Sequence, residues 1–233
     1  MFNRVKAWQW AVAVLVLPHG LLAAPAGTNA LFQAGEQFWT QQIAALGGRY
    51  RPAKLAHFSG PTQGICALQS AVVGAFYCPA EETVYVDDAA LQALRTRMHD
   101  DADADAAIAY VIGHELAHHV QAIIGTTAVV QQARMRSAPA IASQTFVTFE
   151  LQADCYAGLW LRWAHANGTI QLPTDLAAML AATAVAEKAR AGQQALDPLS
   201  EGTAALRLNW VDRGLKGQFN DCDTFGAEAK GTL

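Results

Sequence analysis

Residues 113–121 read GHELAHHVQ and place two histidines, His114 and His118, four positions apart. On an α-helix such a pair lies on one face, so both imidazoles can point at one ion. Residues 109–112 and Leu116 make the rest of this helix apolar, which sets the two histidines against a core. A core helix needs a reason to bury two histidines and a carboxylate. The stretch therefore predicts a metal site on a core helix.

Glu115 supplies the reactive group of this stretch. Imidazole nitrogens suit zinc, and a catalytic zinc site takes three protein ligands and leaves one position open for water. Glu115 lies about 100° around the helix from His114, where it reaches that water but is badly placed as a ligand. The order H-E-x-x-H is the arrangement of metallopeptidases, with the glutamate as general base. The competing interpretation is a polar patch that binds no metal. His119 lies off the metal face, and we expect it in a second-sphere position or at the surface.

A third ligand has to come from elsewhere in the chain. The best candidate is Glu150 in the block ELQADC, which lies 150 − 118 = 32 residues beyond His118 on a different predicted helix. Asp154 follows one turn later on the same face. A ligating histidine usually gives its other N–H to a carboxylate, so we expect Glu150 to bind the metal and Asp154 to orient His114 or His118. The alternative is an ordinary polar stripe on that helix.

Composition bounds the class of protein. The chain has 233 residues, enough for one sizeable core. Hydrophobic residues make up 52% and charged residues only 15%, which excludes a disordered chain. The net charge of −4 provides no basic surface, so we expect no nucleic-acid partner.

The first 26 residues have the organisation of a secretory signal peptide. Arg4 and Lys6 precede an apolar run, and residues 24–26 read APA, an A-x-A cleavage signal. The alternative is an uncleaved anchor over residues 7–24, which would attach the protein to a membrane. Polar residues and a proline interrupt the apolar run, which makes it short for a span of roughly 20 residues. We therefore predict a signal peptide followed by an exported domain over residues 27–233, periplasmic or extracellular.

Four cysteines are present: Cys66, Cys78, Cys155 and Cys222. An even number in an exported chain fits two disulfides, which could be connected in three ways. Cys66 and Cys78 are close in sequence and flank a hairpin-like segment, so we favour Cys66–Cys78 with Cys155–Cys222. Buried free thiols are the alternative.

The rest of the chain is mostly helical in pattern, with one β-rich stretch. Two β-rich runs, residues 72–78 and 83–86, flank the turn signal PAEE and predict a hairpin. Residues 49–66 contain prolines and glycines and predict a loop. The acidic run from Asp100 indicates the start of a helix rather than a calcium site. Helices are predicted over residues 28–46, 91–98, 100–124 and 140–165, with two more capped by Thr174 and Ser200. This order indicates a mostly helical α+β domain.

Three blocks together carry a family resemblance. They are YVIGHELAHHVQ (110–121), FELQADCYAGLW (149–160) and FYCPAEETVYVDD (76–88), with CDTF (222–225) near the C-terminus. The chain resembles the bacterial family of neutral zinc metallopeptidases over roughly residues 30–226. The ELQAD block is also similar to the E-x-x-x-D block of gluzincin peptidases such as the CAAX prenyl endopeptidases, whose glutamate is the third ligand.

This resemblance implies a zincin-like fold, one zinc per chain, and hydrolysis of peptide bonds in a protein or peptide substrate. It assigns His114, His118 and Glu150 as ligands, Glu115 as general base and Asp154 as their support. Zincins often bind an extended substrate along an edge strand near the active-site helix. The resemblance therefore makes residues 82–87, ETVYVD, the expected edge strand, which would bind a peptide by β-augmentation.

One block departs from the family pattern. The family commonly has H-G-T-S-A-Q-R before its last helix, whereas residues 201–207 read EGTAALR. Glu201 replaces the histidine, and the final Arg207 is retained. If that histidine stabilises the oxyanion in the family, another group has to do so here. The candidates are Tyr156, Tyr110 and Arg207.

Two other functions compete with a peptidase. A non-catalytic metal-binding or scaffold protein on the same fold would explain the altered 201–207 block. A metal amidase that acts on cell-wall peptides would use the same metal-activated water.

Overall fold

The computed structural model describes residues 27–58, 66, 75–191 and 203–226, with the backbone alone for 185–191. The predicted signal peptide, Ser200 and Glu201 lie outside these residues. The helices are α1 Thr28–Ala45, α2 Asp88–Arg95, α3 Asp101–Ile123, α4 Thr126–Arg136, α5 Pro139–Ala166, α6 Leu176–Ala191 and α7 Ala204–Lys216, followed by a 3-10 turn at Phe219–Cys222. The strands are β1 Lys54–Phe58, β2 Ala75–Cys78 and β3 Thr83–Asp87. The mostly helical α+β class is confirmed.

The three strands form one small sheet in the order β1-β3-β2. β2 and β3 are antiparallel, which confirms the hairpin, and β1 pairs parallel to β3. Two expectations were wrong. Residues 49–66 are not all loop, because β1 lies among their prolines and glycines. The ETVYVD stretch is not an edge strand, because β1 occupies the other side of β3. The edge strand that contacts α3 is β2.

α3 is the central helix, and its apolar residues are buried on several sides. Ile112, Leu116 and Val120 are each fully buried. α5 packs against it closely, since Trp160 donates its indole N–H to the Ala109 carbonyl at 3.1 Å. Gly113 makes room for the same indole ring, which a Cβ at that position would strike. The two helices that carry the predicted ligands therefore lie side by side.

α7 crosses α5 at a pair of glycines. A Cβ on Gly158 would collide with the Val211 carbonyl oxygen, and a Cβ on Gly214 would collide with the Cys155 carbonyl oxygen. The two backbones therefore approach as closely as glycine alone permits. This crossing brings Arg207 on α7 to Asp154 on α5.

Helix boundaries follow the capping groups. Asp100 accepts a hydrogen bond from the Asp103 N–H at 2.8 Å, which confirms that the acidic run starts a helix. α2 begins at Asp88, three residues earlier than predicted. The expected Thr174 cap was wrong, because Asp175 caps α6 and Thr174 binds Asp103 instead.

Two boundaries differ from the sequence expectation: α4 was not predicted, and α7 begins after Thr203. Gly125 takes a φ of 90°, where the chain turns from α3 into α4. Thr203 accepts a hydrogen bond from the Leu206 N–H at 3.3 Å and so caps α7. Ser200, the predicted cap, lies outside the described residues.

Two disulfides join Cys66 to Cys78 and Cys155 to Cys222, the connectivity favoured from the sequence. Disulfides are typical of an oxidising, exported environment. Within the described residues, no helix has the length and apolarity needed to cross a bilayer.

Candidate metal centre

α3 and α5 bring three predicted ligands together. His114, His118 and Glu150 each offer one ligand atom, and the three atoms lie within 4.8 Å of one another. Oε2 of Glu150 lies 3.2 Å from Nε2 of His114 and 3.5 Å from Nε2 of His118. The i, i+4 spacing on α3 and the neighbouring turn of α5 together produce this group.

Asp154 fixes the ring of His114. Its Oδ1 lies 3.0 Å from Nδ1 of His114. A carboxylate whose pKa is lowered accepts hydrogen bonds only, so Nδ1 is the donor and Nε2 faces Glu150. Asp154 therefore occupies the position predicted for it, and the histidine it contacts is His114.

Asp154 is itself held by two of the residues proposed as oxyanion stabilisers. Tyr110 donates its hydroxyl hydrogen to Oδ1 of Asp154. The Arg207 guanidinium donates from Nε to Oδ2 at 3.0 Å and from its second terminal nitrogen to Oδ1 at 3.3 Å. Asp154 is fully buried. Burial opposes its charge, but Arg207 and His114 outweigh burial and lower its pKa. Tyr110 and Arg207 therefore contact Asp154, the carboxylate that orients His114.

Tyr156, the third candidate stabiliser, lies in the core. Its ring stacks on Phe219 at 4.9 Å and meets Trp39 edge-on at 5.5 Å. Only 2% of the residue is exposed. Two positions along α5 from Asp154, it points to a different face of the helix. This position favours a packing role for Tyr156.

His118 has a partner that the sequence did not reveal. Its Nδ1 lies 2.8 Å from Oε1 of Gln121, one turn further along α3. The ring also stacks on Phe149 at 4.9 Å. A glutamine on a helix has too many uses to be assigned in advance, whereas a carboxylate beside a histidine pair is a recognised signal.

Electrostatic coupling within the group is strong. Burial would lower the pKa of His114, but its hydrogen bonds to Asp154 and Glu150 raise it well above the ordinary value. Burial opposes the charge of His118 as well, yet the Glu150 charge raises its pKa. Burial would raise the pKa of Glu150, but the two histidines bring it far below its usual range. One carboxylate therefore attracts positive charge at both imidazoles.

Glu115 is next to this group and contacts the sheet. Burial raises its pKa, and the charges of His118 and His114 act in the opposite direction. The backbone amide of Tyr77, on β2, also acts to lower this pKa. An edge strand therefore lies directly against the predicted general base.

His119 joins α3 to the sheet and is not at the surface. It is fully buried, with Nε2 2.6 Å from the Arg51 carbonyl oxygen and Nδ1 2.9 Å from the Tyr77 hydroxyl. Because the Arg51 carbonyl accepts only, Nε2 donates and Nδ1 accepts from the Tyr77 hydroxyl. Burial lowers its pKa and favours this neutral form. The surface expectation for His119 was wrong, and its contacts are structural.

The donor set fits zinc. Two imidazole nitrogens and one carboxylate oxygen are ligands of catalytic zinc, and tetrahedral bonds of 2.0–2.1 Å place neighbouring ligand atoms about 3.3 Å apart. The two histidine-to-glutamate separations are 3.2 and 3.5 Å. Both Nδ1 atoms already face acceptors, which leaves both Nε2 atoms directed at the shared space.

A family model described as "Putative neutral zinc metallopeptidase" matches residues 26–225. The chain belongs to this family. The match covers the stretch expected from the sequence and includes both ligand-bearing helices. At the level of the family, the protein is a zinc metallopeptidase with a candidate His-His-Glu metal group.

Relatives occur in Escherichia coli and in mycobacteria. The uncharacterized protein YpfJ of Escherichia coli (strain K12) is 33% identical over 204 residues, which cover 85% of this chain and 70% of YpfJ. The uncharacterized proteins Rv2575 of Mycobacterium tuberculosis and Mb2605 of Mycobacterium bovis are 35% identical over 197 residues. That match covers 78% of this chain and 65% of each relative. No solved structure matches the chain significantly.

Proposed function

We propose that the chain is an exported, zinc-dependent endopeptidase with one zinc held by His114, His118 and Glu150. The observation that supports this most strongly is the position of Glu115, a carboxylate adjoining three converging ligand atoms. When bound, zinc would acidify water and polarise the scissile carbonyl. A non-catalytic site would have no need of a further carboxyl group with a raised pKa beside the three ligands.

Glu115 carries the proton in this proposal. Its carboxylate accepts a proton from the water that attacks the scissile carbonyl and later passes it to the leaving amine. The backbone amide of Tyr77 on β2 lies beside this carboxylate and favours its charged form. Asp154 keeps His114 in the tautomer that a ligand needs.

The substrate strand is proposed to lie along β2. β2 lies at the edge of the described sheet and packs against α3, and the Tyr77 backbone lies beside Glu115, so this edge runs past the catalytic group. The backbone of Ala75, two residues earlier, faces the same way. An extended peptide that paired there would bring its scissile bond near Glu115. This moves the β-augmentation expected for the ETVYVD stretch to the neighbouring strand.

Replacing Glu115 with Gln tests the catalytic role. E115Q keeps the size of the side chain and the three ligands but cannot accept a proton. We expect casein cleavage to fall by at least about 100-fold while zinc content, measured by atomic emission, stays near one per chain. Cleavage that survives in zinc-loaded E115Q would refute the mechanism.

A second comparison addresses the substrate and location. Purified protein is offered casein and peptidoglycan stem peptides side by side, and cleavage of the stem peptides alone would indicate a cell-wall amidase instead of an endopeptidase.

Export is tested by fractionation of cells that produce the full chain, with N-terminal sequencing of the mature form. A mature N-terminus near residue 27 is expected.

A further inference from the structure

Gln121 on α3 has a buried side-chain amide that lies between His118 and two residues of α5, Phe149 and Gln152. The residue is fully buried. Its Oε1 lies 2.8 Å from Nδ1 of His118, and its Nε2 lies 2.8 Å from the Phe149 carbonyl oxygen and 3.1 Å from Oε1 of Gln152. The side chain therefore makes three polar contacts, one through its oxygen and two through its nitrogen.

The orientation of the Gln121 amide follows from its neighbours. A backbone carbonyl can only accept a hydrogen bond, so the amide end that faces Phe149 has to be the nitrogen. The oxygen end therefore faces His118. An amide oxygen can only accept, so Nδ1 of His118 is the donor, and in the neutral ring that binds a metal Nε2 carries the lone pair.

Gln152 reinforces the same orientation. Its Nε2 donates to the Cys222 carbonyl oxygen at 3.2 Å, so its Oε1 is left to accept from Gln121. Cys222 is bonded to Cys155 on α5, which holds that carbonyl in place. A flipped Gln121 would set its oxygen against the Phe149 carbonyl and against Oε1 of Gln152. Leaving buried polar groups unsatisfied is costly, so the flip is strongly disfavoured.

We propose that Gln121, oriented by Phe149 and Gln152, is a positioning residue that sets the tautomer of His118 and so its affinity for the metal. It does for His118 what Asp154 does for His114, with a neutral acceptor in place of a carboxylate. The inference rests on the proposed zinc site, and it adds a residue that acts on the metal only through His118.

Three variants test this role on the full-length chain. Gln121→Met keeps the volume but removes the acceptor, and zinc affinity measured by chelator competition should fall by about 10- to 100-fold. Gln121→Asn keeps an amide but shortens the side chain by one methylene, so it should weaken zinc binding less than Gln121→Met does. Gln132→Met, a surface change on α4, is the matched control and should bind zinc normally.

A second readout separates positioning from simple loss of structure. In the zinc-loaded protein, the Nδ1 hydrogens of His114 and His118 are observed by NMR and their exchange with water is measured. Q121M should speed exchange at His118 while the hydrogen of His114, still bound to Asp154, exchanges as before. A general loosening of the fold would speed both.

The outcomes distinguish this inference from the proposed function. If the unaltered chain binds no zinc, the zinc site itself is refuted. If the unaltered chain binds zinc and Q121M binds it equally well, only the positioning role is refuted. If Q121M does not fold, Q121N still decides: in a folded Q121N, zinc affinity equal to that of the unaltered chain overturns the proposal.

Discussion

The ion pair between Arg207 and Asp154 is expected to be one of the most sensitive points of the fold. Asp154 has no exposed side-chain area and that of Arg207 is 10% exposed, so neither charge is well solvated. Removing one partner of a buried pair costs about 3–5 kcal/mol, because the other charge stays buried and uncompensated. For a chain of this size that corresponds to a fall in Tm of about 6–20 °C. Arg207→Met should show this loss.

The assay is urea unfolding at pH 7, with Arg213→Met as the matched control. Arg213 lies on the same helix but is exposed, above the ring of Trp210, and its loss should cost under about 1 kcal/mol. Asp154→Asn and the double variant complete a cycle that isolates the pair. Equal stability of R207M and R213M, or a coupling near zero, would show that Asp154 does not depend on Arg207.

The pH dependence of this difference has a definite sign. The pKa of Asp154 is lowered in the folded protein, so its contribution is present above the unfolded value of about 3.9 and is lost as pH falls through the folded value. The stability gap between the unaltered chain and R207M should therefore be full at pH 7 and shrink in acid. A gap that does not change with pH would point to lost packing instead of lost charge.

Two further predictions concern packing and the metal. Gly214→Ala should destabilise the protein by about 3 kcal/mol, because its Cβ would strike the Cys155 carbonyl oxygen. The control Gly27→Ala, which has open space around its Cβ, should cost under about 1 kcal/mol. Thermal unfolding of both variants tests the glycine crossing. Zinc at about 100 times its Kd should stabilise the fold by about 2.7 kcal/mol. In the metal-free protein the pKa values of His114 and His118 are raised. Their protonated forms therefore stabilise the metal-free fold at low pH, and this stabilisation is lost as pH rises. At one fixed zinc concentration, the gain in Tm on adding zinc should therefore increase from pH 6 to pH 8, and a gain that is constant or falls would contradict this site.

The ligand group was predictable from the sequence because its spacing has a short-range physical meaning. Four positions on a helix place His114 and His118 on one face, and Glu150 with Asp154 repeats that spacing on a second helix. The structure confirms that α3 and α5 bring these residues together. Gln121 also lies one helical turn from His118. Its orientation, however, depends on the carbonyls of Phe149 and Cys222, which only tertiary packing brings into position.

The sheet shows where local reasoning fails. The hairpin was predicted from alternation and a turn, both of which are local. Its edge could not be predicted, because whether β3 has one neighbour or two depends on β1, a five-residue strand behind Pro52. The contacts of Tyr110 and Arg207 with Asp154 could not be predicted for a similar reason. Tyr110 reaches Asp154 through the packing of α3 on α5, and Arg207 reaches it across the glycine crossing of α5 and α7.

The Cys155–Cys222 bond closes a covalent ring in the chain. The two cysteines are 67 positions apart, and the ring contains Arg207 together with the whole connection from α6 to α7. A protease that cuts anywhere inside it would leave two fragments still joined, so a nicked molecule would migrate as one band until it is reduced. A single cut there, whether accidental or part of maturation, would leave the guanidinium that neutralises Asp154 covalently attached to the helix it serves.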